Sequence, residues 1–578
     1  MRLYLDRTEY YNEVCEVIRL FLPLSAVELI DAASVSDSDK TGKADNTGIT
    51  GKADNTGIAG KADNSGNAEK TGQTLNAGKI GNTEKAGIAY NAVNADNTEK
   101  TGNVHNAVNA DNAEKNGKAD NSSDGVLKVV IRTSQEGFYC NAELHINSEI
   151  YSYDHSLPFM GTDKLIVKRY EKRCMKIAVF RALRKAFPRK HVPWGSLTGI
   201  RPTSLLRELK NTLGETEARR MMLEEFDVTK AKYALADRIC NVQKKIFSAI
   251  PENSVDIYIG IPFCRTRCLY CSFASGLRTK KTDMASYIAA LKRDIRGGAE
   301  LVKELDLHVR ALYMGGGTPT VLTADELKDV LEFTLSAYGI SKDDKNIEFT
   351  VEAGRPDTIT PEKLKILADC GITRISINPQ TMNDETLRLV GRDHTAADIR
   401  ECFYLARSLG FDSINMDLIA GLPGENAEIM KHSIDEIIKL DPDCLTVHSL
   451  AIKRSSRLHE HLEDYDLPDV SEVEKMIALG AEGAEKLGME PYYMYRQKYM
   501  AGNLENVGYS KPGKICLYNI DMMEDSLSII SHGAGAMNKR IFGAKGRIER
   551  IPNPKDIKTY IAKLDIIKQK RFDLFSQE

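Results

Sequence analysis

Three cysteines stand close together in IGIPFCRTRCLYCSF, spaced C-x3-C-x2-C at Cys264, Cys268 and Cys271. They directly follow DIYIGI, an apolar run at 256–261 that reads as a short strand. Thiolates spaced this closely on one loop suit a cubane iron–sulfur cluster. Three ligands leave one iron open, and an open coordination position is what a metal needs to bind a substrate directly. Arg265 and Arg267 lie between the first two ligands and favour thiolate over thiol. Two plainer readings compete: three buried thiols, or zinc. Zinc prefers four closed ligands or a recognisable His or carboxylate fourth, and neither is obvious. No other closely spaced Cys pair completes such a site. The expectation is therefore a 4Fe–4S cluster on Cys264, Cys268 and Cys271, which form both the metal-ligating and the catalytic set. The remaining cysteines (Cys15, Cys140, Cys174, Cys240, Cys370, Cys402, Cys444 and Cys516) stand alone and read as small buried hydrophobes.

A second candidate is GGGTPT at 315–320, after the next apolar strand. Its glycines permit close backbone approach to a ligand, and free amides at a strand-to-helix turn favour anions. A plain turn is the alternative reading.

These residues need a scaffold. From Asp256 short apolar strands recur at 256–261, 309–315, 346–352, 372–378, 412–419 and 444–450, separated by helical segments such as TADELKDVLEFTLSAYG and AEIMKHSIDEIIKL. Six β–α units with buried-type strands imply parallel pairing through right-handed crossovers. Six fall short of the eight that close a barrel. The fold class expected is α/β, with an open, partial (β/α)6 barrel over 249–467. Active-site residues then belong on the loops at the C-terminal strand ends. An N-terminal α+β domain is expected over 1–35 plus 126–248. There VLKVVIRTSQEGFYCNAELHI reads as two strands and DKLIVKRYEKRCMKIAVFRALRKAF as a long amphipathic helix. A mostly helical C-terminal domain is expected over 468–578.

The segment 36–125 stands apart: KADN recurs four times and NAVNADN twice, in a background of Gly, Ala, Asn, Asp, Thr, Ser and Lys. Such a composition buries too little apolar area to offset the entropy of ordering it. It reads as a disordered, low-complexity repeat insertion whose removal leaves the chemistry intact.

Charge narrows the function classes. Lys and Arg number 79 against 82 Asp and Glu, so no basic stripe marks a nucleic-acid binder. No run approaches the ~20 apolar residues that span a bilayer. The N-terminus carries Asp and Glu ahead of its apolar part and makes a poor signal peptide. A cytoplasmic monomer with neither nucleic-acid nor membrane partner is expected.

C-x3-C-x-Y-C resembles the signature of the radical S-adenosylmethionine superfamily, and IYIGIPFCRTRCLYCSF resembles its oxygen-independent coproporphyrinogen III oxidase family. VPWGSLTGIRPT at 192–203, GGGTPT at 315–320 and YRQKYMAGNLENVGYSKPG at 495–513 are similar to the HemZ-type coproporphyrinogen dehydrogenase branch. The resemblance covers nearly everything except the repeat segment. It implies that Tyr258 lines a first S-adenosylmethionine, that Gly316, Gly317 and Thr318 serve its methionine amino and carboxylate groups, and that Glu352 is a further ligand. It also implies a second S-adenosylmethionine against Tyr270, Gly317, Thr318, Gln380, Arg392, Asp417 and Ala451, with Met537 as a nonpolar wall. The implied reaction begins with one-electron cleavage of the sulfonium, and the resulting radical abstracts hydrogen from a substrate propionate. Loss of CO2 and an electron leaves a vinyl group, twice over, converting coproporphyrinogen III to protoporphyrinogen IX for haem biosynthesis. Such a reaction needs a low-potential donor such as flavodoxin or ferredoxin, and cations for the substrate carboxylates. Arg265, Arg267, Arg454, Arg457 and Arg496 are candidates.

Two rivals share the motifs. The oxidases proper carry a further Cys two residues after the third, where this chain has Phe273; CSF instead resembles the haem-chaperone branch. That branch carries an HNxxYW haem motif, but the matching stretch here has Glu505 for His and Ser510 for Trp, and the sole Trp is Trp194. His532 is another conceivable haem ligand. A radical methyltransferase of the same architecture is the second rival.

Overall fold

The computed structural model describes residues 1–22, 27–30, 125–159, 163–273, 275–344, 346–497, 500–543 and 547–577; the repeat segment lies outside them. In the N-terminal part, β1 (Arg2–Leu5), β2 (Glu28–Ile30), β3 (Val126–Thr133), β4 (Gly137–Ile146) and β5 (Glu149–Pro158) form a sheet in the order β2-β1-β3-β4-β5. The two strands expected from 126–146 are β3 and β4. The third, β5, escaped the sequence reading because its residues EIYSYDHSLP are mostly polar and mostly solvent-facing. The helix Lys164–Ala186 packs on this sheet and buries Cys174, Ala178, Phe180 and Leu183, giving this part a core of its own.

The second sheet is built on β6 (Ser254–Ile261). A loop with the short pair β7 (Phe263–Cys264) and β8 (Gly276–Leu277) leads on to β9 (His308–Gly316), β10 (Glu348–Gly354), β11 (Arg374–Ile377), β12 (Ile414–Ala420) and β13 (Cys444–Ser449). The order β6-β9-β10-β11-β12-β13 is parallel throughout, as six β–α units require. Helices such as Met284–Glu304, Ala324–Tyr338 and Ala427–Leu440 make the crossovers. Sequence chemistry sets their ends. Thr323 and Glu326 form a reciprocal capping box at the start of Ala324–Tyr338, and Gly339 ends that helix at φ 65°.

The segment after 468, expected as a mostly helical domain, is mixed and joins the barrel sheet at both edges. β14 (Glu490–Tyr495) and β15 (Asn506–Ser510) extend it antiparallel beyond β13. β16 (Ser528–His532) runs parallel beside β6, and β17 (Met537–Phe542) and β18 (Arg547–Pro552) continue antiparallel. The reason is local: all eight residues of β6 are buried, so its backbone groups need ladder partners on both sides.

Candidate active site

At Ile261 the chain leaves β6 and enters the cysteine loop at the C-terminal edge of the sheet. Cys268 is buried, Cys264 and Cys271 are half-buried, and all three thiols are free of disulfides. The Cys271 amide donates to the Cys268 carbonyl (3.2 Å). The Cys264 thiol lies 3.4 Å from the Ser275 hydroxyl and 3.7 Å from that of Thr318. Burial raises the Cys264 thiol above its ordinary range, and those two hydroxyls offset this only in part. Burial likewise pushes Cys271 up to about 12. Thiolates here therefore require a cationic partner within the loop, which a metal centre supplies.

Among the described residues no three His, Cys, Asp or Glu side chains converge on the point of a single ion. In a cubane each thiolate takes its own iron, so the three sulfurs need not meet at one point. Gly317 completes the cradle: a Cβ there would sit 2.9 Å from Cys264 Sγ and 2.4 Å from the Phe263 carbonyl. The donor set and the cradle fit the 4Fe–4S cluster.

The glycine turn works differently from the sequence expectation. Two of its amides are already engaged: Gly317 N–H donates to Ile261 O and Thr318 N–H to Phe263 O, both at 2.8 Å. The turn is laced to the cysteine loop, and Gly316 holds φ 112°, which a side chain would strain. Beside it, Tyr258, Tyr313 and Tyr518 stack at centroid separations of 4.5–6.4 Å. The Tyr313 hydroxyl donates to Glu352 Oε1 (2.6 Å), and a Cβ on Gly315 would lie 2.8 Å from Glu352 Oε2. Tyr258, Glu352 and the glycines thus share one neighbourhood.

The residues of the second expected group fall into two sets. Arg392 donates to Asn378 O (2.6 Å), and its guanidinium lies against Tyr270 and Cys268. Gln380 occupies a left-handed conformation (φ 70°); its amide donates to Asp417 O (2.8 Å) and its carbonyl accepts from Ile419 N–H (2.9 Å). A non-glycine residue held there is strained, and such strain concentrates at functional sites. Asp417 accepts from Asn415 Nδ2 (2.8 Å) and lies 3.7 Å from His448 Nε2. Burial alone would raise this carboxyl, but His448, Asn415 and Thr446 outweigh it and hold Asp417 below the usual range. Ala451, two residues past β13, bridges to Met500. Met537 begins β17, two strands out from β6, and its carbonyl accepts from the Ser531 hydroxyl (2.6 Å).

Three sequence candidates have other work. Arg496 donates to the carbonyls of Leu197, Gly199 and Asn503 and lies over the Trp194 ring, so its guanidinium clamps backbone rather than offering itself to a substrate carboxylate. His532 is fully buried, which keeps haem from it; its Nδ1 lies 3.3 Å from Asp294 Oδ1 and its Nε2 2.6 Å from the Tyr338 hydroxyl. Glu505 is buried, accepts from Trp194 Nε1 (2.8 Å) and pairs with Lys232. Arg265, Arg267, Arg454 and Arg457 are exposed, with Arg265 donating to Asp357 O (2.8 Å) and Arg267 to Ser455 O (2.6 Å).

Sequence reasoning missed Arg355 and Asp357. Arg355 Nη1 donates to Thr266 Oγ1 (2.8 Å) and reaches 3.7 Å from Cys268 Sγ, while Nε donates to Asp357 Oδ1 (2.9 Å). The signal was present in TVEAGRPD, where an Arg and an Asp follow Glu352 at the end of β10.

A profile of the Radical SAM superfamily matches residues 258–437, from the cysteine strand through the helix Ala427–Leu440. Parallel β/α units with a three-cysteine loop at the end of the first strand define a radical S-adenosylmethionine protein. A Bacillus subtilis protein described as oxygen-independent coproporphyrinogen-III oxidase-like protein HemZ is 42% identical over 375 residues, covering 64% of this chain and 74% of that protein. The chain belongs to this HemZ-like family. The heme chaperone HemW of Bacillus subtilis is 32% identical over 41% of this chain and 61% of its own length. The oxygen-independent coproporphyrinogen III oxidase of Salmonella typhimurium is 28% identical over 49% of this chain and 63% of its own. Membership implies a 4Fe–4S cluster and S-adenosylmethionine. Among the described residues no helix is long and apolar enough to cross a membrane.

Proposed function

We propose that this chain is an oxygen-independent coproporphyrinogen III oxidase that converts two propionates to vinyls and so yields protoporphyrinogen IX. The observation that carries this reading over the haem chaperone is Glu505. It occupies the place of the chaperone motif's histidine, and its carboxylate is buried on Trp194 and Lys232. That arrangement offers haem no axial ligand.

Cys264, Cys268 and Cys271 would hold the cluster. When bound, the cluster and S-adenosylmethionine supply a one-electron C–S cleavage that generates a hydrogen-abstracting radical. The chain's own residues position and shield. Glu352, fixed by Tyr313, would take the amine or ribose hydroxyls of S-adenosylmethionine, and Tyr258 would wall that site against water. Asp417, held ionised by His448, would accept from an amine or hydroxyl of a second molecule, with Arg392 as a planar partner for its carboxylate. The exposed Arg265, Arg267, Arg454 and Arg457 are candidates for the substrate's carboxylates.

The test is anaerobic reconstitution with S-adenosylmethionine, coproporphyrinogen III and a reductant, followed by mass analysis. Deoxyadenosine together with successive losses of CO2 supports the oxidase. Deoxyadenosine without decarboxylation discards the substrate, and neither product from an intact cluster moves the chaperone reading to first place.

A further inference from the structure

Outside β7 and β8, next to the cysteine loop, an open cavity of about 550 Å3 is lined by Arg265, Arg278, Lys280 and Lys363 against Glu326 and Asp357. Four cations against two carboxylates leave this wall positive by two, on a chain whose formal charge is −3. Three cations are anchored: Arg265 donates to Asp357 O, Arg278 to Val321 O and Glu326, and Lys363 to the carbonyls of Thr320 and Thr358. Lys280 and its neighbour Lys281 are exposed. Leu277, next to Arg278 along the chain, is a large apolar side chain left 51% exposed.

This wall is one hydrogen bond from Cys264. The Arg278 amide donates to the Cys264 carbonyl at 2.9 Å, and Leu277 is the register partner of Cys264 in the β7–β8 pair. An exposed apolar residue followed in the chain by Arg278, Lys280 and Lys281 has the composition of a protein interface, with an apolar centre and a charged rim. A basic patch on a chain of nearly balanced charge steers an acidic partner to that place.

We propose that this basic rim docks an acidic single-electron carrier protein and that electrons enter at Cys264. The inference rests on the radical S-adenosylmethionine reading above, which requires a donor. One electron leaves the reduced carrier, which is oxidised by one, and the cluster is reduced by one; no bond forms and no proton moves.

The test uses the full reconstituted chain, a bacterial flavodoxin as probe and the charge-reversed variant K280E/K281E. Flavodoxin binding is followed by flavin fluorescence, and cluster reduction by electron paramagnetic resonance. Wild-type binding should weaken with added salt, and association with the variant should be about tenfold slower. Dithionite, which needs no docking, should reduce the cluster equally in both chains. Equal flavodoxin binding by variant and wild type, or wild-type binding indifferent to salt, overturns the proposal. A chain that takes up no iron defeats the cysteine assignment instead. The binding arm does not depend on the cluster, so the two failures are told apart.

Discussion

At the scale of single residues, Arg355 is the group the sequence did not advertise. Its guanidinium spans Cys268 and Asp357, so it presents positive charge and an N–H to a ligand sulfur. Hydrogen bonds to the sulfurs are one of the protein's means of setting cluster potential. Replacing Arg355 with Gln should leave cluster assembly possible but make reduction harder, by the equivalent of about 1.5 kcal/mol for a charge-assisted bond. A redox titration of the reconstituted variant reads this, and an unchanged midpoint would refute it. The cysteines were legible because their chemistry lies in spacing along the chain. Arg355 was not, because its meaning depends on a fold that brings the end of β10 to the cysteine loop. Glu505 supports a second prediction. Glu505→His would restore the chaperone motif's histidine in name, yet Trp194 and Lys232 enclose the position. Haem titration of that variant should give no ligated Soret band, and the lost pairing with Lys232 should lower its melting temperature.

At the scale of elements, the glycine turn and the cysteine loop behave as one unit. Two backbone hydrogen bonds lace them together, and the tightest contacts of a Gly317 side chain would be with backbone, which cannot swing aside. Gly317→Ala should therefore cost cluster occupancy as well as activity, seen as less iron per chain after reconstitution. A fully loaded Ala variant would show that the turn has slack. The barrel strands were readable because parallel strands covered on both faces become continuous apolar runs. The added strands were not. MNKRIF and RIERIP in β17 and β18 carry charges on an outer, antiparallel extension, and nothing local distinguishes them from loop or helix.

At the scale of the whole molecule, Asp294 ties the C-terminal segment to the barrel. From the helix Met284–Glu304 it accepts from Arg571 Nη2 (2.6 Å), Tyr560 Oη (2.7 Å) and Gly533 N (3.0 Å), with His532 alongside. Burial opposes its charge, but Arg571 and His532 prevail and hold the carboxyl well below the usual range. Burial lowers His532, although Asp294 opposes this. Both depressed groups bind protons more readily in the unfolded chain, so stability is retained at neutral pH and falls with acid. The fall should begin near the ordinary imidazole range, about pH 6.5, and steepen near about pH 4. Asp294→Asn leaves Arg571 buried without its counter-charge and should cost about 3–5 kcal/mol. Melting curves across pH test both statements; a variant as stable as wild type would remove Asp294 from this role. This tie was invisible in the sequence, since its members come from segments far apart along the chain.

The pairing of β16 with β6 also bears on how the protein is made. While the chain emerges from the ribosome, the strand that launches the cysteine loop gains its β9 neighbour soon after synthesis. Its other edge stays bare until Ser528–His532 has been translated. A bare edge on a mostly apolar strand invites pairing with another chain. A nascent polypeptide stopped just short of residue 528 thus carries every cysteine of the loop and yet lacks the strand that makes holding iron safe.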